Sequence, residues 1–159
     1  FELSEKYNYT ESNLGNLLIR VDVVPLSLAL SQAAIESGWG TSRYLNEGNA
    51  IFGQYTYDKN SGIKPKERSK DKKFYVKKFS SLSDSVRSYL KNINTHIAYE
   101  DFRKERRKLR MGGDNLLGNT LATFLTNYSE RNVEYVKDIK HLIQTNNFMK
   151  FDKVNGLLN

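Results

Sequence analysis

The sequence predicts a mainly helical α+β domain with a small β-rich lobe inserted between helical segments. Apolar residues recur at helical spacing before residue 38, residues 50–79 carry short strand-like runs, and the helical period returns from Ser81. We find no internal repeat and no linker beyond a Gly-Gly turn. We therefore expect a single domain, 1–159, with the β-lobe at about 50–79.

Two helices are predicted before residue 38. Residues 11–20 form a short helix with Leu14, Leu17 and Leu18 on one side. A second helix starts at Pro25, which suits a first turn, and runs to about Ser37, where glycines follow. Its apolar residues lie nearly all round, so we expect a central, buried helix. They form two stripes, one of Leu26, Leu30, Ala33 and Ala34, the other of Leu28 and Ile35.

The later elements follow from changes of period. The runs "AIFGQYTYD" and "FYVKKF", with the turn-like "KNSG" between them, predict two or three short strands. Ser81 with Asp84 predicts a capping box at the start of the next helix. Further helices are predicted at 97–110, 115–126 and 132–146.

Composition sets the broad class. The chain is 38% hydrophobic and 27% charged, which is typical of a globular protein, and no apolar run approaches the roughly 18 residues of a membrane span. It has no cysteine, which excludes thiol catalysis and cysteine-ligated zinc. The balance of 25 Lys+Arg against 18 Asp+Glu favours polyanionic partners. The chain begins at Phe1, so we expect a processed product whose signal region was removed.

The stretch "SQAAIESGWGTSR", residues 31–43, carries the clearest chemical signal. On a helix, Glu36 has Ala33, Gln32 and Ala29 as its i−3, i−4 and i−7 neighbours, and the small side chains among them leave space beside its carboxylate. The negative end of the helix dipole, and partial burial beside Trp39, would raise the pKa of Glu36. A carboxylic acid that stays protonated near neutral pH suits a general acid in glycoside hydrolysis.

A purely structural interpretation of the same residues stays open. Glu36 could be an exposed acid at a helix end, with Trp39, the only tryptophan, in the core. The flanking glycines favour the functional interpretation, because they let a bulky substrate approach the backbone.

Four separated stretches resemble one family. "LALSQAAIESGWGTSR" followed by "GNAIFGQ" is similar to the glucosaminidase family of bacterial cell-wall hydrolases, which includes flagellar muramidase-like enzymes and Bax-type proteins. "KPKERS", "KKFSSLSDSVRSYLKNINTHIAY" and "YSERNVEYVKDIKHLIQTNNF" resemble the Bax-type branch in particular. The resemblance covers roughly residues 20–148. It implies a lysozyme-like α+β fold and hydrolysis of β-1,4 bonds in peptidoglycan by an endo-β-N-acetylglucosaminidase.

The resemblance also implies roles for individual residues. Glu36 falls on the general acid of the family, and Tyr128, in "YSER", falls on an aromatic position that lines the active site. The residues that fall on positions shaping the substrate cleft are Trp39, Asn49, Phe52 and Gly53.

The second catalytic group is where this chain departs from the family. A glutamate is expected just before the valine of "FYVKKF", and Tyr75 stands there instead. Glu67 is our candidate for the second acid, with Asp71 and Asp58 as alternatives, although a solvated charge is an equally good interpretation of Glu67. The 2-acetamido group of the substrate could also be the nucleophile, with Tyr128 or Tyr75 orienting it. Ala50 replaces an asparagine of the family turn.

The basic runs and the two histidines have mainly structural interpretations. Eight Lys or Arg lie within 64–78, and we expect a solvated basic lobe that could also attract anionic cell-wall material. "RKERRKLR" at 103–110 predicts an exposed helical face with Phe102 and Leu109 as its buried positions. His96 and His141 have no metal-ligand spacing, so we expect neither a metal nor a cofactor.

The sequence leaves several functions open. A peptidoglycan hydrolase of the bacterial cell envelope, monomeric and acting on glycan strands, is the leading hypothesis. A lytic transglycosylase lacks support because its usual Gly-Leu-Met-Gln signature is absent. A catalytically weak glycan-binding module is favoured by the Tyr75 departure. A nucleic-acid binder would use the basic lobe with Phe74, Tyr75 and Phe79 as stacking partners, but it leaves Glu36 unexplained.

Overall fold

A computed structural model of the protein describes residues 2–10, 14–66 and 73–152. It confirms the mainly helical α+β class with a small antiparallel sheet, consistent with a lysozyme-like fold. The helices are α1 (Glu2–Lys6), α2 (Leu14–Arg20), α3 (Leu26–Glu36), α4 (Arg43–Gly48), α5 (Leu82–Thr95), α6 (Glu100–Gly112), α7 (Gly118–Leu121) and α8 (Val133–Thr145), with 3-10 turns at Ile97–Tyr99, Ala122–Phe124 and Thr126–Tyr128. The predicted segment 115–126 is therefore one short α-helix followed by 3-10 turns.

The sheet has the position that the sequence predicts. Its strands are β1 (Tyr55–Thr56), β2 (Gly62–Ile63) and β3 (Tyr75–Lys77), in the order β1-β3-β2. Both pairings are antiparallel, with Val76 opposite Tyr55 on one side and Ile63 on the other. Val76 and Ile63 are buried, so one face of this small sheet contributes to a core.

The chain falls into two compact units, residues 1–31 with 90–159 (unit 1) and residues 32–89 (unit 2). The core of unit 1 is built mainly by helices, and its fully buried side chains include Leu28, Ile93, Phe102, Leu121, Ile139 and Ile143. Unit 2 contains the sheet and α4, and its core includes Phe52, Ile63, Val76 and Tyr89. Helices α3 and α5 contribute residues to each unit.

The N-cap half of the predicted capping box forms at the start of α5, and the reciprocal bond to the Ser81 backbone N–H does not. The Ser81 hydroxyl accepts a hydrogen bond from the backbone N–H of Asp84 at 3.1 Å and donates one to the Asp84 carboxylate at 2.8 Å. One of the N–H groups that a helix start leaves without a partner is thereby satisfied.

Helix α3 does not have the burial pattern that its apolar stripes predict. Leu26 and Leu30 are 41% and 39% exposed, whereas Ser27, Ser31 and Gln32 are fully buried. The prediction of a helix buried nearly all round was wrong, because its inward face carries polar side chains with partners in the fold. Helix α2 also differs from its predicted apolar side, because Leu17 is buried while Leu14 and Leu18 are 74% and 68% exposed.

A distant carboxylate holds the start of α3. Asp152 accepts hydrogen bonds from the backbone N–H and the hydroxyl of Ser27, at 2.9 and 2.6 Å. It also accepts one from the backbone N–H of Gly118, the first residue of α7, at 2.9 Å. One buried carboxylate thus caps two helix starts in unit 1, where helix dipoles favour negative charge.

Helix α6 corrects a second prediction. The stretch 103–110 is not simply an exposed face, because Arg103 and Arg106 are 3% and 0% exposed. Arg106 donates to the backbone oxygens of Ile19, Asp22 and Val23 and to the side chain of Asn94, at 2.7–3.3 Å. Burial lowers the pKa of Arg106 to about 10, with the charge of Asp22 acting in the opposite direction, so the guanidinium stays charged at neutral pH. Phe102 is buried as predicted, and Leu109 is only half-buried.

Arg106→Met is expected to lower the free energy of unfolding by about 3–5 kcal/mol, because buried carbonyl groups and Asp22 would lose their charged partner. The control is Arg107→Met, at the neighbouring exposed position, which should change stability by no more than about 0.5 kcal/mol. Urea unfolding in Tris buffer measures both values. Equal stabilities for the two variants would contradict the role given to Arg106.

Candidate functional site

Helix α3 ends immediately after Glu36 in a Schellman motif. The backbone N–H of Trp39 donates to the carbonyl of Ala34 at 2.8 Å, and that of Gly38 donates to Ile35 at 3.2 Å. Gly38 has a φ of +54°, the left-handed conformation that this motif requires and that glycine adopts without strain. The Glu-Ser-Gly sequence therefore places Glu36 in the last turn of the helix, as predicted.

The next residues stay left-handed. Trp39 and Gly40 have φ values of +55° and +83°. A left-handed conformation costs a non-glycine residue about 1–2 kcal/mol, so the surrounding contacts must hold Trp39 in it. The Ser37 hydroxyl does so from one side, donating to Ala33 at 2.6 Å and accepting from the Gly40 N–H at 3.0 Å.

Trp39 itself points largely into solvent. Its side chain is 61% exposed, so it is not the core residue that the structural interpretation of the sequence assumed. An exposed indole on a strained, well-held turn is available to pack against the apolar face of a ligand.

A second turn follows α4 and leads into the sheet. Asn49 ends α4 in a left-handed conformation, with a φ of +52°. Its side-chain amide donates to the carbonyl of Phe79 at 3.0 Å, and the Phe79 N–H donates to the carbonyl of Gly48 at 2.9 Å. Asn49 was predicted as a substrate-binding residue, and here its side chain joins the two chain segments that bound the β-lobe.

A buried chain of contacts positions the following residues in unit 2. The ring of Phe52 stacks on Tyr89 with centroids 3.9 Å apart and planes 10° apart. The Tyr89 hydroxyl donates to the side-chain oxygen of Gln32 at 2.7 Å. Gln32 lies one helical turn before Glu36, so the turn that carries Phe52 is connected through Tyr89 to the helix that carries Glu36. Phe52 is 4% exposed and can only act from beneath the surface.

The structure brings Glu36 and Gly53 together. A Cβ placed on Gly53 would lie 2.8 Å from Oε2 of Glu36, and the φ of Gly53 is +59°. A side chain at this position would be strained by the backbone conformation and would force the Glu36 carboxylate to move. Glu36 is half-buried, with Ala33 and Gln32 on its own helix one turn earlier. The carboxylate therefore lies against the backbone of this turn, with no side chain from position 53 between them.

Of the three candidates for a second acid, two lie outside the described residues and the third is engaged within an exposed turn. Glu67 and Asp71 belong to residues 67–72, which the structure does not describe. Asp58 is exposed in the turn between β1 and β2, where its carboxylate accepts a hydrogen bond from the Asn60 N–H at 2.9 Å. That hydrogen bond, followed by one from Ser61, lowers the pKa of Asp58.

The two tyrosine candidates lie in different units. Tyr75 is half-buried in β3 of unit 2, opposite Thr56. Tyr128 is half-buried in unit 1. Its ring stacks on that of Tyr135, with centroids 5.6 Å apart and planes 7° apart, and the centroid of the Tyr99 ring lies 6.1 Å away.

Sequence reasoning missed the residues that support the site. Gln32 was visible as a polar residue in an apolar helix, one turn before Glu36, and that position was the available signal. Tyr89 falls at an apolar position of the helical period that begins after Ser81, and the sequence gives it no other signal. Ser85 is fully buried on the same helix and accepts from the Ile51 N–H at 3.2 Å. Nothing in the local pattern of α5 distinguishes these two residues, since their partners are far away in sequence.

Among the described residues, no group of three acidic or histidine side chains could hold a metal ion. Within the same ranges, no helix combines the length and apolar character that crossing a bilayer requires.

Comparison with known proteins gives two matches. The family described as glucosaminidase, mannosyl-glycoprotein endo-beta-N-acetylglucosaminidase, matches residues 13–148. Protein bax of Escherichia coli (strain K12) is 35% identical over 135 residues, which is 83% of this chain and 46% of that protein. The chain thus spans about half the length of this relative. No solved structure matches.

Gly53→Ala is expected to lower the free energy of unfolding more than Gly113→Ala. Both positions have a positive φ, and alanine there costs about 1–2 kcal/mol. A Cβ at Gly113 meets nothing within 4 Å, whereas one at Gly53 meets the Glu36 carboxylate. Because the Glu36 carboxylate would have to leave its preferred side-chain conformation, the clash should add about 0.5–1.5 kcal/mol.

Urea unfolding of both variants measures this difference. Adding Glu36→Ala to Gly53→Ala should recover most of the extra loss, because the carboxylate that causes it is gone. Equal losses at the two glycines would refute the close contact between Glu36 and Gly53.

Proposed function

This chain belongs to the glucosaminidase family over residues 13–148, and on that premise we propose that it is a peptidoglycan hydrolase that cleaves β-1,4 glycosidic bonds. We propose that the cleaved bond lies on the reducing side of N-acetylglucosamine and within the glycan strand. The proposed activity is therefore that of an endo-β-N-acetylglucosaminidase. The matched range includes residues of both units. This supports the proposal that they belong to one glucosaminidase-like domain.

One observation carries the proposal, namely the position of the Glu36 carboxylate against Gly53. A general acid has to reach the glycosidic oxygen without side chains in the way. The bare backbone at Gly53 and the small Ala33 leave that space, while the Gln32–Tyr89–Phe52 contacts hold the two sides in place. The position at the C-terminal end of α3 disfavours the ionised form of Glu36, as a proton donor requires.

In the proposed reaction, Glu36 donates its proton to the glycosidic oxygen as the bond from that oxygen to the anomeric carbon breaks. The leaving sugar departs with a free hydroxyl group, and positive charge develops at the anomeric carbon. Water then adds to that carbon and supplies the new hydroxyl group, while a base accepts the proton that the water loses. The base releases this proton to solvent and Glu36 takes one up, which restores the enzyme.

We propose Glu67 as the group that assists this water, since it lies on the β-lobe near the basic run. Asp58 suits the role less well, because its carboxylate accepts a hydrogen bond within its own turn and its lowered pKa makes it a weak base. If neither acid acts, the 2-acetamido group of the substrate would attack the anomeric carbon, with Tyr75 or Tyr128 orienting it.

The other site residues receive supporting roles. Trp39 would stack on a sugar ring, because its indole is exposed and its backbone is held. Asn49 and Phe52 would maintain the shape of the cleft from beneath, through the Phe79 carbonyl and the Tyr89 ring. The reaction as proposed uses no cofactor, and its setting would be the bacterial cell envelope, with the protein acting as a monomer.

Glu36→Gln is expected to lower the rate of peptidoglycan cleavage by about 10²- to 10⁴-fold, since glutamine cannot donate the proton. Its melting temperature should be unchanged or higher, because an acid in an unfavourable position is removed. Purified peptidoglycan is digested with each protein, reduced with borohydride, and the fragments are identified by mass spectrometry.

Fragments that end in reduced N-acetylglucosamine, formed by the wild type and lost with Glu36→Gln, would support both the bond and the acid. Anhydro ends would indicate a transglycosylase instead. An active Glu36→Gln variant would sink the assignment of the acid. Binding without cleavage by the wild type would identify a glycan-binding module.

Glu67→Gln is expected to lower the cleavage rate by about 10²- to 10⁴-fold if Glu67 activates the water. Asp58→Asn is the matched comparison in the same lobe and should retain a rate close to wild type. Initial rates of release of reducing ends measure both. A near-normal rate for Glu67→Gln would rule it out as the base and favour assistance by the acetamido group.

A further inference from the structure

Unit 1 contains a cavity of about 450 Å³ that the proposed hydrolysis does not use. Helix α6 lines it with Glu100, Arg103, Lys104 and Arg107, which share one face at i, i+3, i+4 and i+7. Helix α2 contributes Asn16, Ile19 and Arg20, and the remaining lining residues are Tyr9 and Ile97.

The charge of this cavity is strongly unbalanced. Four cationic side chains line it, and Glu100 is its only acidic one. Lys104 lies 2.9 Å from the Glu100 carboxylate and offsets it. Within the described part of the chain, Arg20, Arg103 and Arg107 make no ion pair with a carboxylate. The charge of Glu100 also acts on Arg20 and Arg103, so the described lining of the cavity keeps an excess of three positive charges rather than a complete lack of counter-charge.

Arg103 is the central group of this set. It is 3% exposed, and one of its terminal nitrogens is held by the carbonyls of Ile93 and His96, at 2.9 and 2.8 Å. The same side chain lines the cavity, so its orientation is fixed before any ligand arrives. Burial, and next the charge of Arg20, lower the pKa of Arg103, which reflects the cost of holding a buried cation near a second one.

An anion in the cavity would relieve that cost. Guanidinium groups bind the oxygens of phosphate through paired N–H donors, and several arginines around one cavity suit an anion with more than one negative charge. Arg20 is held by the carbonyl of Thr95 at 3.3 Å and has its guanidinium 5.9 Å from the Tyr9 ring centre, so it too is oriented. Arg107 is exposed at the rim, where it could close over a ligand.

We propose that this cavity is a binding site for a phosphate group, held by Arg20, Arg103 and Arg107. The ligand is a phosphate or diphosphate group, either free, on a polymer, or on a lipid headgroup. The site is separate from Glu36 and does not depend on the proposed hydrolase activity.

The test titrates inorganic diphosphate into the protein by calorimetry at about 0.15 M salt, where general surface attraction is weak. We expect binding at one site per chain. The variant Arg20→Gln with Arg107→Gln should bind at least about tenfold more weakly, because two of the three guanidinium groups are lost. Arg103 is left in place, since its contacts with Ile93 and His96 support the fold.

A charge-matched control separates a site from general attraction. Lys91→Gln with Lys108→Gln removes the same two charges from exposed positions that do not line the cavity. This control should bind diphosphate within about twofold of wild type, and so should Glu36→Gln. The absence of diphosphate binding, or equal weakening in the control, would overturn the proposal.

Vesicles distinguish the source of the phosphate. Phosphatidylcholine vesicles with and without phosphatidylglycerol are sedimented with the wild type and with the Arg20, Arg107 variant. Sedimentation that needs both phosphatidylglycerol and the two arginines would support the site and identify a lipid headgroup. Diphosphate binding with no such sedimentation would support the site and identify a free or polymer-borne phosphate.

Discussion

The hydrogen bond between Tyr89 and Gln32 is the constraint on which the candidate site depends. It joins two fully buried polar side chains. Gln32 lies on the helix that ends at Glu36, and the ring of Tyr89 stacks on that of Phe52. The turn containing Phe52 continues directly into Gly53, which lies against the Glu36 carboxylate. A buried polar group without a partner costs more free energy than a formed hydrogen bond contributes. Arrangements of helix and turn that separate the Tyr89 hydroxyl from the Gln32 side chain are therefore disfavoured.

Buried polar groups have the same function elsewhere in unit 1. Arg106 satisfies the backbone oxygens of Ile19 and Val23, and Asp152 satisfies N–H groups at the starts of α3 and α7. Helix ends and connections leave such groups without partners of their own. Arg103 on the same helix also binds backbone oxygens and is affected by the charge of Glu100, but it makes no ion pair with a carboxylate of the described residues, whereas Arg106 pairs with Asp22. This difference separates an arginine that already has its counter-ion from one that can receive an anion.

The sequence predicted the elements well and their burial poorly. The N-cap hydrogen bond at Ser81 and the strand around Val76 are both confirmed, because each depends on residues close together in the chain. The inward side of α3 was wrong, since Ser27 and Gln32 are buried only through partners more than fifty residues away. Likewise, no local pattern separates the buried Arg106 from the exposed Arg107 beside it.

The sequence by itself determined the class of fold, the family, and the place of Glu36 at a helix end. The fold class follows from periodicity, the place of Glu36 follows from a glycine that must be left-handed after the helix, and the family follows from the resemblance of short motifs. All three are local properties of the sequence. Only the tertiary structure decided that Gly53 meets the Glu36 carboxylate, that the Trp39 side chain faces solvent, and that arginines of α2 and α6 share one cavity. Each of these depends on which distant groups satisfy buried charges and hydrogen bonds, and local sequence patterns do not encode those pairings.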